Sequence, residues 1–154
     1  MSAAARQHEL AVAVATDGVR VPLARARAIA LVRAVLTAER VRDALLSFTY
    51  VTPTAIARLN REHLGHRGPT DVISFGLSER SGPVVGDVYI CPSVAREHAR
   101  LHGSTVREEL ARLLVHGTLH VLGHEHAEDD TRTEGAMWRR QERLLQSTRA
   151  TWSA

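Results

Sequence analysis

The sequence predicts an α+β fold: a four-stranded mixed sheet covered by helices, one of them deeply buried and carrying a histidine motif. Three observations predict it. Four short segments have strand-like patterning, the segments between them repeat with helical period, and the helical segment from Val106 is apolar on nearly every side. The chain has 154 residues, 44% hydrophobic and 24% charged, which suits a single globular domain over 1–154 with a genuine core.

The elements follow in order. Glu9 to Ala15 (ELAVAVA) alternates before the turn signal Asp17-Gly18 and reads as a strand. Pro22 to about Glu39 is rich in alanine, leucine and arginine at helical spacing, with proline at its start. Ala44 to Val51 is the second strand, and Thr52-Pro53 opens a short helix to about His63. Asp71 to Leu77 and Val84 to Cys91 read as strands on either side of a turn-forming stretch, Ser78–Pro83. Pro92 opens a helix that ends near Gly103. Thr105 with Glu108, and Thr131 with Glu134, have the spacing of capping boxes. The first opens a helix from Val106 to about Leu122, the second a carboxy-terminal helix to about Gln146.

Composition excludes several function classes. No apolar run approaches the roughly 20 residues that span a bilayer, and no cleaved signal is expected at MSAAARQHEL. The one cysteine, Cys91, has no partner for an internal disulfide, which suits a reducing cytoplasm. A net charge of +3 tolerates a polyanionic partner, but all 20 basic residues are arginine, as a biased genome also produces. With two Phe, two Trp and two Tyr there is no evident stacking platform for bases.

The chemistry-bearing residues lie at the end of the buried helix. His116 and His120 are four apart, about 40° around the axis, so their imidazoles share one face. Gly123 then provides the left-handed turn that ends a helix, and the chain can return His126 to the same point. His-x3-His-x5-His supplies three neutral imidazoles, a set that binds zinc and leaves a position open for water. Nickel or another divalent metal also suits imidazole. Of the neighbours, His124 either stands idle or supports a ligand from behind, and Glu125 binds or orients water. His126 is preferred over His124 because its longer return after Gly123 reaches the metal more easily. The offsets match the metzincin protease motif, but Gly117 stands where that motif has its general-base glutamate, which argues against peptidase chemistry.

A second likeness covers more of the chain. HGTLHVLGHEH, from His116 to His126, resembles the HGxLHLxGYDH signature of the YbeY family of endoribonucleases, the ribosomal RNA maturation factors. Pro69 to Phe75 (PTDVISF) is similar to that family's PTDVLSF segment, and Gly86 to Ile90 (GDVYI) to its GDIxI strand. Asn60 falls at the expected distance before Pro69. The resemblance implies a zinc-dependent, single-strand-directed endoribonuclease of small-subunit ribosomal RNA processing and ribosome quality control. It carries the metal role onto His116, His120 and His126, and implies single-stranded ribosomal RNA and the small ribosomal subunit as partners. Two departures are evident. His124-Glu125 replaces Tyr-Asp, and Leu64 stands where many members have an arginine, with Arg61 and Arg67 close by.

Ser74, Asp71 and Glu125 are candidates to position water, although Ser74 and Asp71 also suit a strand edge or turn. Cys91 reads as a small strand residue, and Glu128, Asp129 and Asp130 as acids favouring the positive end of the last helix. The readings that compete with the nuclease are another metal-dependent hydrolase, peptidase-like, and a non-catalytic ribosome-assembly factor whose metal is structural.

Overall fold

The mixed sheet expected from the sequence is present, and its strand order puts β3 at an edge. A computed structural model describes residues 8–124 and 135–153. The strands are β1 (Leu10–Thr16), β2 (Ala44–Tyr50), β3 (Val72–Gly76) and β4 (Val84–Ile90). They lie in the order β1-β2-β4-β3, with β1, β2 and β4 parallel and β3 antiparallel to β4. The helices are α1 (Arg25–Ala38), α2 (Pro53–Leu64), α3 (Pro92–His102), α4 (Val106–Val121), α5 (Ala136–Ser147) and α6 (Arg149–Trp152).

Period-2 side-chain alternation divides the sheet into two unlike faces. Leu46, Phe48 and Tyr50 of β2, with Val88 and Ile90 of β4, turn to the main core, which α1, α4, α5 and α6 complete. On the opposite face the Ser47 hydroxyl donates to Asp87 at 2.7 Å across the β2–β4 ladder. A smaller cluster there, Val51, Ile56, Ile73 and Cys91, packs with Leu59, Phe75 and Tyr89 under α2.

Two expectations change. Pro22 does not open α1, which begins at Arg25. Leu23 is buried instead, and the Pro22 carbonyl accepts from Arg107 Nε at 3.2 Å, so this segment joins the core before the helix starts. At the other end one helix becomes two. The Thr148 hydroxyl donates to the Leu144 carbonyl at 2.6 Å, α5 stops at Ser147, and α6 returns Trp152 so that its Nε1 donates to the Leu145 carbonyl at 3.1 Å. The expected cap at Thr131 and Glu134 lies outside the described residues. Among those described, no helix is long and apolar enough to cross a membrane.

Candidate active site

α4 is the element on which the site is built. The Thr105 hydroxyl accepts from the Glu108 amide at 3.0 Å, as its capping position predicts, and Leu110, Leu114, Val115 and Leu119 are fully buried. Two glycines let this helix lie directly on the sheet. A Cβ at Gly117 would come within 2.7 Å of the Val88 side chain, and one at Gly86 within 2.5 Å of Val121. Gly117 is therefore more than a missing base. The helix approaches the sheet too closely there for any side chain, and a glutamate has no space. This strengthens the argument against peptidase chemistry.

Gly123 has φ +96° and ends α4 as expected. Its amide donates to the His120 carbonyl, and the His124 amide to the Leu119 carbonyl, both at 3.0 Å, the paired bonds of a Schellman motif. One turn earlier the imidazoles of His116 and His120 stand edge to face with centroids 4.6 Å apart. The third expected ligand, His126, lies outside the described residues, as do Glu125, Glu128, Asp129 and Asp130. Among the described residues no three metal-binding side chains converge. His124 points elsewhere: its Nε2 is 4.0 Å from Glu39, a carboxylate that also receives a forked bond from Arg140.

Sequence reasoning missed Gln141. This α5 residue is only 2% exposed, and its Oε1 lies 2.7 Å from His116 Nδ1. An amide oxygen can only accept, so this contact assigns a proton to Nδ1 and, in the neutral ring, leaves the lone pair on Nε2. A neutral imidazole held in that tautomer is what a borderline divalent cation requires, so the donor chemistry fits zinc. The signal was available in α5. Met137, Gln141, Leu144 and Leu145 form one buried stripe at i, i+4, i+7 and i+8, and Gln141 is the polar member.

Behind Gln141 stands an ionic network, also unforeseen. Arg112 grips Glu142 with Nε and Nη2, the latter at 3.0 Å, and its Nη1 donates to Glu109 at 2.7 Å. Burial alone lowers the Arg112 pKa, but the carboxylates of Glu142 and Glu109 outweigh it and raise the value.

The other candidates separate. Asp71 is buried and committed: Oδ1 accepts from the Val72 amide at 2.8 Å and from Thr70, while Oδ2 is 3.4 Å from His98. It serves the start of β3. Cys91 is buried at the end of β4, where α3 begins. Ser74 points toward α4, its Oγ 3.5 Å from where a Gly117 Cβ would lie. Its neighbour Phe75 faces the other way and meets the His63 ring edge to face at 5.1 Å.

Leu64 is half exposed at the end of α2. One turn before it, Asn60 donates through Nδ2 to the Gly68 carbonyl at 2.9 Å, which ties the loop after α2 to the helix. Arg61 and Arg67, with Arg58, thereby line one open groove together with Pro53, Gly68 and Pro69. None of these three guanidiniums is paired with a described carboxylate.

The family model for endoribonuclease YbeY matches residues 15–149. The endoribonuclease YbeY of Frankia casuarinae is 38% identical, over 90% of this chain and 74% of its own length. That of Beutenbergia cavernae is 43% identical, over 75% of this chain and 83% of its own length. The solution structure of TM1509 from Thermotoga maritima shares the fold, with a TM-score of 0.63 at 23% identity over 92% of this chain and 91% of that one.

Proposed function

The chain belongs to the endoribonuclease YbeY family, and on that premise we propose that it is a zinc-dependent endoribonuclease specific for single strands. Its place is in the cytoplasm, in small-subunit ribosomal RNA maturation and ribosome quality control. The observation that carries the reading is the edge-to-face His116–His120 pair, with the His116 tautomer set by Gln141. His116, His120 and His126 would hold the ion. Bound there, zinc supplies Lewis acidity toward a phosphate oxygen and makes a water more acidic.

The remaining work falls to the chain's own side chains. Arg58, Arg61 and Arg67 hold the RNA backbone by charge, in place of the arginine absent at Leu64. The Ser74 hydroxyl, on the face of β3 toward α4, donates to a phosphate oxygen or orients a water. The buried body of α4 keeps the two imidazoles fixed while substrate binds.

The test is cleavage of a single-stranded RNA and of the same sequence as a duplex by zinc-loaded protein. The single strand is expected to be cut and the duplex spared. His120→Ala, with its fold verified by circular dichroism, is expected to abolish cleavage. Undiminished cleavage by clean His120→Ala protein sinks the reading.

A further inference from the structure

Resting on the reading of His116 as a metal ligand, we propose that Gln141 is a positioning residue, through which α5 sets the metal affinity of α4. Three features support it. Gln141 is buried, its contact with Nδ1 is short, and a directed chain of hydrogen bonds fixes which way its amide points.

That direction follows from the far end of the chain. Arg112 can only donate, and it donates to both Glu109 and Glu142. An ionised Glu142 can only accept, and its Oε2 faces Gln141 Nε2 at 3.4 Å. Turning the amide over would set its oxygen against a carboxylate and its NH2 against His116. The network therefore presents Oε1 to His116, His116 donates from Nδ1, and the coordinating lone pair lies on Nε2. Glu109, Arg112 and His116 are spaced three and four apart on α4, so one face carries the whole relay to its partners on α5. A glutamine that merely filled space would need no such backing.

The test is zinc affinity, measured by competition with a chromophoric chelator, on the wild-type chain, Gln141→Leu, Gln141→Glu and His116→Ala. Gln141→Leu keeps the bulk but removes the acceptor, and is expected to weaken zinc binding about 10- to 100-fold. Gln141→Glu retains an acceptor and is expected to recover most of that loss. Metal-free wild-type protein at about pH 8, where an ordinary histidine is neutral, is expected to show the Nδ1–H tautomer of His116 by nitrogen NMR. Wild-type affinity in folded Gln141→Leu overturns the proposal, as does a dominant Nε2–H tautomer. The NMR arm stands even where Gln141→Leu does not fold. Unchanged zinc affinity in His116→Ala overturns the metal reading itself and the positioning role with it. Loss in His116→Ala beside none in Gln141→Leu removes the positioning role alone.

Discussion

Arg112 and the trio Arg58, Arg61 and Arg67 share one side-chain chemistry in opposite surroundings. Arg112 lies between α4 and α5 and is gripped by two carboxylates, one of them, Glu109, only 5% exposed. The trio lines an open groove beside the end of α2 with no described carboxylate to neutralise it. A guanidinium enclosed by acids is committed to the fold, whereas three exposed ones sharing a groove remain available to an anion. The contrast makes the first a stability element and the second the proposed path of the RNA backbone.

The largest effect should come from breaking the enclosed member. Arg112→Met leaves the buried Glu109 and the partly exposed Glu142 without their cation, and is expected to cost about 3 kcal/mol. Urea unfolding checks this, with a lower midpoint at unchanged slope. A loss below about 1 kcal/mol would show that Glu109 and Glu142 find other partners.

The groove should respond in the opposite sense. Replacing Arg58, Arg61 and Arg67 together by glutamine is expected to leave stability within about 0.5 kcal/mol. On the proposed function, the slope of log affinity for single-stranded RNA against log salt should fall by roughly 0.7 for each guanidinium removed. An unchanged slope in folded protein would place the RNA elsewhere.

The sequence distinguishes poorly between these two kinds of arginine, because the difference is tertiary. Charge counts saw 20 arginines, and only the packing of α5 on α4 brings Glu142 to Arg112. The sheet was more legible: strand-like segments between turn signals marked the four strands, and proline, threonine and glycine marked most helix ends. The His116–His120 face was legible too, since a four-residue spacing on one helix needs no tertiary information. Gln141 comes from 25 residues away, so its meeting with His116 was not. Gly117 could be read as a missing glutamate, yet its contact with Val88 required the sheet.

A buried polar group with no partner provides the next comparison. The Tyr50 hydroxyl is buried and has no hydrogen-bond partner among the described residues, and burial pushes its ionisation well above the ordinary 10.0. Tyr50→Phe is expected to be neutral or to stabilise by about 1 kcal/mol. The sign of the pH dependence follows from the raised value. Below pH 10.0 both states hold the proton and no penalty arises. Above it the unfolded chain alone loses the proton, so stability falls as pH rises. Denaturant midpoints at increasing alkaline pH should therefore decline more steeply for wild type than for Tyr50→Phe. Parallel declines would mean that the folded phenol ionises as readily as the unfolded one.

The smallest expected effect separates two helix ends built alike. α1 closes with the same paired bonds as α4, the Arg40 amide to the Thr37 carbonyl at 3.0 Å and the Val41 amide to Leu36 at 2.9 Å. Where α4 places Gly123 in the left-handed turn, α1 places Arg40 at φ +61°. A side chain there costs roughly 1–2 kcal/mol, and glycine's extra freedom in the unfolded chain returns part of that difference. Arg40→Gly is accordingly expected to raise stability by about 0.5 kcal/mol, read as a higher melting temperature. The adjacent Glu39, which holds Arg140 and lies near His124, should keep its place, because the substitution relieves the turn without reshaping it. A lower melting temperature would show that the Arg40 side chain contributes a contact worth more than the strain of its backbone.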